Sequence, residues 1–480
     1  MRRRVMLKLA VSGAALAQVF DTSCQRRILT KIMGDNPGLS APNPSSTNSI
    51  TAKVSVDWAN TVAQTTPFTF GSNDYEITKA EAAADRVYPS RLAELGIKLI
   101  RIHYAGLSDR WTNPTTKTWD EAKIKAGYDV SYIQRATIIQ NIPGWPNWMR
   151  QSQDGLLDSS EYDNYAAFCA QLVEILNRRQ QRKVVYWEPL NEQDVRYEKA
   201  GKLDELWKIY NKAATAMKRQ DSQIKVGGPV LTWDEPKRLA AFLEACKSNV
   251  DFISWHRYGS GDANASTDTL MSYTPNYKTQ VQEFRKLATQ SIPNRRVPLL
   301  LGEYNINYNW QSGENRQNTH VGAVWFASVH KNLADAGIDM ATSWHLKDGV
   351  YGLIDPQNNL RPAATVFAWG IKYLTGKVIR TDSDHPFVEA MAVWQADGGR
   401  SLLLINKSAG LASLSVQATQ MAAKPNSLLM LSLEATGLKS TTLATATLEQ
   451  QPLTLNPYSL VLLRFAANGS SVNSPNNRLT

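Results

Sequence analysis

Two apolar segments of this chain each end on a glutamate that is followed by further polar residues. The first segment, residues 184–194, reads VVYWEPLNEQD and carries Glu188 and Glu192. The second, residues 298–305, reads PLLLGEYN and carries Glu303. An apolar, β-rich run that stops on polar residues is typical of a buried parallel strand at its C-terminal end. The sequence therefore predicts carboxylates at the ends of two different strands.

Two carboxylates on separate strands indicate a particular chemistry. Cleavage of a glycosidic bond needs one carboxylic acid to donate a proton and a second carboxylate to attack or to activate water. In a (β/α)8 barrel the catalytic groups lie at the C-terminal ends of the strands. We therefore expect an enzyme that cleaves carbohydrates.

The sequence contains few residues that could bind the metal ion of a metal-dependent hydrolase. The six histidines form no HxH or HExxH pair, and the three cysteines form no CxxC motif. We expect neither a metal nor another cofactor. Because three is an odd number and Cys169 and Cys246 fall in separate helical patterns, no disulfide framework is predicted.

Candidate strands alternate with helical patterns through most of the chain. The expected strands are Phe68–Gly71, Lys98–His103, Ala136–Ile142, Val184–Trp187, Ile224–Gly227, Phe252–Tyr258, Pro298–Glu303 and Met340–Trp344. The expected helices are Ala80–Leu95, Tyr162–Arg178, Leu203–Arg219, Pro236–Lys247, Lys278–Gln290, Asn315–Ala336 and Ala363–Leu374. This alternation indicates a closed parallel barrel or a doubly wound sheet. The α/β class with a (β/α)8 TIM barrel is favoured, because polar residues end several distant strands and no GxGxxG follows the first.

Changes in hydrophobic periodicity and composition along the sequence predict the domain boundaries. We expect the barrel over 51–375 and, where short alternating runs replace helical periodicity, an antiparallel β-sandwich over 376–467. The alternating run Ala52–Trp58 could join that sandwich. Residues 25–50, rich in Asn, Pro and Ser, are expected to be a linker, and 468–480 a disordered tail.

The net charge of +10 does not indicate a nucleic-acid partner. Residues 1–31 carry +6 of it, and the rest of the chain has no basic run interleaved with aromatic residues. Residues 1–24 instead resemble an export signal, in which Arg2, Arg3 and Arg4 precede a short apolar stretch, Leu9–Ala17. That stretch is too short for a permanent span, so no integral membrane segment is expected in the mature chain.

The route of export is open to two interpretations. Residues 3–8, RRVMLK, resemble the twin-arginine motif RRxFLK, and residues 15–17 offer an AxA cleavage site. This favours a periplasmic or extracellular protein. Lipoprotein anchoring at Cys24 ranks second, because Asp21 stands where a lipobox has Leu.

Further polar side chains are expected near the two glutamates. His256 and Tyr258 are two residues apart on one predicted strand and so share a face, as do Arg101 and His103. A buried arginine needs a counter-charge, and Glu303 is the natural one. Arg101 and the Tyr258 hydroxyl would together keep Glu303 ionised. The alternative for each histidine is a hydrogen-bonded core residue.

These segments resemble glycoside hydrolase family 39, the β-xylosidase family of clan A. EPLNEQD at 188–194 resembles the family's EVWNEPD segment, although Leu190 and Gln193 replace its usual Trp and Pro. SWHRY at 254–258 resembles the clan's sixth-strand His-x-Tyr, and LLGEYN at 300–305 its seventh-strand nucleophile segment. Strand two (Arg101-Ile102-His103) and strand eight (Ser343-Trp344) also match.

The resemblance implies a retaining, two-step hydrolysis of β-glycosidic bonds in an oligo- or polysaccharide. It gives Glu192 the role of acid/base and Glu303 that of nucleophile. It also implies that Asn191 holds the sugar 2-hydroxyl and that Trp344 forms the floor under the transferred sugar. Glu188 matches a supporting glutamate.

Two tryptophans after the third strand, Trp145 and Trp148, offer rings to a sugar-binding cleft, and Trp111 and Trp310 lie in other strand-to-helix loops. Each ring alone is more typical of packing, but together they predict at least one sugar contact. A non-catalytic glycan-binding barrel is the rival interpretation, although binding alone does not need a carboxylate pair. Xylosides, other β-glycosides and exopolysaccharides all suit such a site.

Overall fold

The computed structural model describes residues 49–79, 84–130, 133–262, 264–419 and 427–465. The expected export signal, nearly all of the expected linker and the expected C-terminal tail lie outside these residues. No helix among the described residues is long and apolar enough to cross a membrane.

Eight parallel strands close into a barrel, which confirms the predicted fold class. In chain order the barrel strands are Gly71–Asp74, Leu99–Ile102, Thr137–Asn141, Tyr186–Glu188, Lys225–Leu231, Phe252–His256, Leu299–Glu303 and Met340–Ser343. The eighth strand pairs with the first through Thr342 opposite Gly71, which closes the ring. Most strand residues are buried on both faces, as the near-continuous apolar runs predict.

Helices surround the barrel and cover its apolar outer face. Their bounds are Val87–Leu95, Leu107–Arg110, Glu121–Tyr128, Tyr162–Val173, Asp194–Lys199, Leu203–Gln220, Pro236–Cys246, Thr267–Ser272, Asn276–Ser291, His320–Asp335 and Pro362–Tyr373. The fourth of these continues as a π-helical turn, Glu174–Arg179. Cys169 and Cys246 are both buried and free.

The first barrel strand begins later than the sequence predicts. Pro67–Phe70 forms a 3₁₀ turn, and the strand is Gly71–Asp74 rather than Phe68–Gly71. Pro67 at the start of the turn fixes a helical φ, and the Thr66 side chain caps the turn by accepting a hydrogen bond from the Phe68 N–H at 3.2 Å. The apolar residues of this turn therefore pack as helical residues, and the strand ends on polar residues that the prediction missed.

The C-terminal strands form one nine-stranded sheet together with the N-terminal strand. Its strands are Ile50–Thr65, Gly376–Ser383, Val388–Trp394, Arg400–Asn406, Ala412–Thr419, Ser427–Glu434, Gly437–Ala444, Leu453–Leu455 and Ser459–Phe465, and a short helix, Thr445–Gln450, interrupts them. The sheet is mixed rather than wholly antiparallel, because Ile50–Asp57 runs parallel to Ala412–Thr419. The same N-terminal strand pairs antiparallel with Gly376–Ser383.

This sheet packs one face against the barrel. Met391 and Leu403 belong to the same buried cluster as Phe326 of the barrel helix His320–Asp335. A buried ion pair reinforces the contact: Lys407 donates to Glu389 at 2.9 Å, and Glu389 accepts from Asn332 of that helix at 3.2 Å. The barrel and the sheet are therefore joined by both apolar and polar contacts.

Candidate active site

Arg101, at the end of the second barrel strand, is fully buried and connects four strand ends. Its Nε donates to Glu188 at 2.7 Å, and its Nη2 donates to Asn191 at 2.7 Å. Its Nη1 donates to Asn73 at 2.9 Å and to Glu303 at 3.0 Å. Burial alone would lower the pKa of Arg101, but the carboxylates of Glu188 and Glu303 raise it above its ordinary value. The guanidinium therefore stays charged and fixes all four partners.

Glu188 has no exposed surface and is bound from two sides. Besides the bond from Arg101, its Oε2 accepts from Asn141 Nδ2 at 3.1 Å. A carboxylate held in this way is a counter-charge for the buried arginine. The supporting role that the family resemblance implies for Glu188 stays a prediction.

Glu303, at the end of the seventh strand, accepts hydrogen bonds from two donors. Its Oε1 accepts from Arg101, and its Oε2 accepts from the Tyr258 hydroxyl at 2.9 Å. Burial raises the pKa of Glu303, with a further contribution from Glu192, whereas His256, Arg101 and the Tyr258 hydrogen bond lower it. The net pKa is above its ordinary value, so the two donors offset burial only in part.

Glu192 follows the fourth strand and points into the cleft, with 35% of its side chain exposed. Burial by the walls of the cleft, together with the negative charge of Asp194, raises the pKa of Glu192 to about 8. Asp194 is itself fixed by the side chain of Arg238 at 2.5 Å and by the Thr232 hydroxyl at 2.7 Å.

The two glutamates form a pair across the barrel mouth. One oxygen of Glu192 and one of Glu303 lie within 4.8 Å of each other, and a ring nitrogen of His256 lies within the same distance of both. Two carboxylates this close share one proton near neutral pH. Arg101 and Tyr258 stabilise ionised Glu303, so the proton belongs on Glu192. A cation could also bind these three side chains, but it would occupy both carboxylates.

His256 lies between the two carboxylates. Its Nδ1 is 2.7 Å from Glu192 Oε1, and its Nε2 is 3.6 Å from Glu303 Oε1. Burial lowers its pKa to about 4. A neutral imidazole can therefore bond to Glu192 while the Glu303 carboxylate stays ionised.

His103 is held in one tautomer by its neighbour. Asn141 donates through Nδ2 to the Leu190 carbonyl at 2.8 Å, so its Oδ1 is the acceptor for His103 Nδ1–H at 2.8 Å. Burial and then the charge of Arg101 lower the pKa of His103 well below its ordinary value. Its unprotonated Nε2 lies 3.9 Å from Glu303.

Among the tryptophans predicted to bind sugar, Trp344 lies beside His103. Its ring centroid is 5.5 Å from that of His103, and its backbone N–H donates to the Tyr304 carbonyl at 3.0 Å. The half-buried ring thus borders the same cleft as Glu303.

The other predicted tryptophans contact different parts of the protein. Trp145 is buried and makes edge contacts with Tyr165 and Tyr197, at 5.7 and 6.2 Å between centroids. Half-buried Trp148 makes an edge contact with Phe168 at 6.1 Å. A sugar contact at Trp145 or Trp148 stays a prediction. Trp111 is also buried, whereas Trp310 is 63% exposed.

The fold is shared with several solved glycoside hydrolases. A monomeric β-xylosidase from Caulobacter crescentus superposes with a TM-score of 0.62 at 16% identity, covering 87% of this chain and 100% of that chain. The family 39 enzyme from Xanthomonas axonopodis pv. citri gives 0.62 at 15% identity, covering 89% and 98%. A family 51 α-L-arabinofuranosidase from Bifidobacterium longum gives 0.64 at 16% identity, covering 88% and 100%.

Sequence comparison gives a family match for the middle part of the chain. The curated β-xylosidase of Geobacillus stearothermophilus is 27% identical over 176 residues, which are 34% of this chain and 32% of that protein. The match thus spans about a third of that relative. Residues 154–352 match the family described as Glycosyl hydrolases family 39, and this range contains both Glu192 and Glu303. This region is a glycosyl hydrolase family 39 domain.

The sequence patterns do not predict three further residues of the site. Asn73 lies one residue before the end of the first barrel strand and bonds to Arg101. Asn141 ends the third strand and bonds to Glu188. Tyr75 follows the first strand, with its ring 6.4 Å from that of Trp344. Polar residues that follow an apolar run could have indicated these positions. For Asn73 and Tyr75 they did not, because the first strand was predicted to end at Gly71, before both residues.

Replacing Tyr258 with phenylalanine should move the acidic limb of the kcat/KM profile to higher pH. The lost hydroxyl donates to the ionised form of Glu303, so its removal raises the pKa of that carboxyl. The limb reports the free enzyme, which must carry an ionised nucleophile. We expect about a tenfold loss of kcat/KM, partial because Arg101 remains. An unchanged acidic limb would assign Tyr258 to packing alone.

Proposed function

We propose that the protein hydrolyses β-glycosidic bonds in an oligo- or polysaccharide with retention of anomeric configuration. The observation that supports this is the separation of at most 4.8 Å between one oxygen of Glu192 and one of Glu303. Retaining enzymes hold their carboxyl groups about 5–5.5 Å apart, whereas inverting enzymes need about 6.5–9.5 Å to admit a water molecule. The short separation favours direct attack by a carboxylate.

In the first step Glu303 attacks the anomeric carbon as Glu192 protonates the leaving oxygen. The bond from the anomeric carbon to that oxygen breaks as the bond to the Glu303 carboxylate forms. The contacts fit these roles, because Arg101 and Tyr258 both donate to Glu303, which favours its ionised form and orients it. Glu192 carries the proton because burial and Asp194 raise its pKa.

In the second step water replaces the enzyme at the anomeric carbon. Glu192, now ionised, removes a proton from the water, whose oxygen attacks and releases Glu303. Asn191 has its Oδ1 turned to Arg101, so Nδ2 is the end that can donate to the sugar. A bond to the 2-hydroxyl at this place would strengthen in the transition state.

The stereochemistry of the first product tests the proposal. A panel of aryl β-glycosides that includes the xyloside is first used to find a hydrolysed substrate, since β-xylosidases are among the similar proteins. Proton NMR recorded early in that reaction should show the β-anomer of the free sugar before mutarotation. Initial formation of the α-anomer would refute the assignment of Glu303 as nucleophile.

Export stays a proposal based on the N-terminal sequence. The two arginines at positions 3 and 4 and the apolar stretch after them support the twin-arginine route to the periplasm or the exterior. N-terminal sequencing of the mature protein would show whether it begins at Gln18, after the AxA site, or at a lipid-modified Cys24.

A further inference from the structure

A polar cavity of about 410 Å³ opens at the barrel mouth, between the loops that follow the first and eighth strands. Its aromatic and charged walls come from Tyr75, Glu76, Lys79, Asp85, Lys347 and Asp348. We propose that this cavity binds a second, uncharged sugar ring of the substrate, on the side away from the leaving group. The inference rests on the proposed function and deepens it, because it makes the preferred substrate a chain of sugars rather than a simple glycoside.

The barrel topology places the cavity on the correct side. Glu192 follows the fourth strand, and in a closed ring of eight strands the eighth lies opposite the fourth. The acid protonates the leaving oxygen, so the leaving group lies on the side of Glu192. The remainder of the sugar chain must extend the other way, toward the loops of the eighth and first strands.

A continuous row of rings joins the nucleophile to the cavity. His103 Nε2 lies 3.9 Å from Glu303, and the His103 ring lies 5.5 Å from that of Trp344. The Trp344 ring in turn lies 6.4 Å from that of Tyr75, which forms the inner wall of the cavity. A sugar ring above Glu303 would therefore have its distal end next to Tyr75.

The charged side chains of the cavity walls can form hydrogen bonds with the hydroxyl groups of a sugar. On one side Lys79 Nζ lies 2.5 Å from Glu76, and on the other Lys347 Nζ lies 3.3 Å from Asp85. Each pair places a donor beside an acceptor. Adjacent hydroxyl groups of a pyranose also combine donors with acceptors, so each wall can exchange hydrogen bonds with such a pair.

The balance of charge favours an uncharged sugar. Each lysine already faces a carboxylate, so neither offers an uncompensated positive charge to an acidic sugar. Burial opposes ionisation of Asp348, but the hydrogen bond from His345 and those from backbone N–H groups lower its pKa to about 2. Those bonds come from the N–H groups of Gly352, at 2.9 Å, and of Tyr351. Asp348 therefore adds a fixed negative charge.

The test compares two substrates that differ by one sugar. The aryl β-monoglycoside selected by the panel is set against the aryl β-linked disaccharide of the same sugar, and kcat/KM is measured for both. We expect the ratio of disaccharide to monosaccharide to be about 10 to 100 in the natural enzyme. In Lys347→Met, which keeps the aliphatic stem but loses the ammonium group, that ratio should fall about tenfold.

A matched variant and a second wall residue make the result decisive. Lys208→Met alters a lysine on an outer helix whose side chain is 59% exposed, and it should leave the ratio unchanged. Lys79→Met tests the opposite wall if Lys347→Met has a lowered unfolding temperature. A natural ratio of one or less, or a ratio that neither wall variant lowers, overturns the inference while the proposed function stands. If no aryl β-glycoside of the panel and no corresponding disaccharide is hydrolysed, the proposed function itself fails.

Discussion

Replacing Glu303 with glutamine should lower kcat by more than about 10⁴-fold, since the amide cannot form the glycosyl–enzyme bond. Glutamine has nearly the same shape, and its amide can still bond to Tyr258. The fold should therefore survive, although Arg101 keeps only Glu188 as a carboxylate partner. Steady-state kinetics on the activated aryl glycoside, together with the thermal unfolding midpoint, measure the two effects separately.

The control for this variant is Glu244→Gln, which makes the same chemical change where the side chain is 80% exposed. It should retain full activity. Mass spectrometry of the natural enzyme with a slow 2-fluoro glycoside should place the label on the peptide that contains Glu303. A label on any other carboxylate would contradict the assignment, as would a Glu303→Gln variant that keeps its activity.

Replacing Glu192 with alanine should produce an effect that depends on the leaving group. General acid catalysis contributes about 10²- to 10⁴-fold, so natural sugars, which leave poorly, should lose about this much rate. A dinitrophenyl glycoside needs no proton to leave, so its first step should be nearly unaffected and the glycosyl–enzyme should accumulate.

Adding azide to the Glu192→Ala variant tests the role of Glu192 in the second step. This small anion attacks without a general base, so it should accelerate the second step and release a β-glycosyl azide. Asp194 and His256 also border this position, and neither should substitute for the lost carboxyl. Normal activity of Glu192→Ala on natural sugars would place the acid elsewhere, with Glu188 the first residue to examine.

The pH dependence of kcat/KM should report the ionisation of Glu192 and Glu303. Glu192 must be protonated to act as acid, and its pKa is raised to about 8, so the alkaline limb should lie above neutrality. Asp194 contributes to this by its negative charge. The structure thus explains how two glutamates with similar intrinsic acidity take different roles: only one of them contacts a guanidinium and a tyrosine hydroxyl.

The barrel and its two glutamates could be predicted because their signals are local. A buried parallel strand must be apolar along its whole length, so the point where polarity begins marks the strand end. Both VVYWEPLNEQD and PLLLGEYN contain that point, and both glutamates follow it. The prediction was wrong where a local signal was ambiguous: the apolar run at Phe68 packs as a 3₁₀ turn, since Pro67 and the Thr66 cap favour a turn over a strand.

By itself the sequence determined which residues end the fourth and seventh strands, and hence which carboxylates could reach the barrel mouth. Only the tertiary structure decided what surrounds them. Arg101 of the second strand meets Glu303 of the seventh because the ring of strands closes. The cavity beside Tyr75 exists because distant parts of the chain meet there: Lys347 contacts Asp85, 262 positions away. The pKa values depend on burial and on charges carried by other strands. These quantities are sums over neighbours in space, which the order of residues along the chain does not specify.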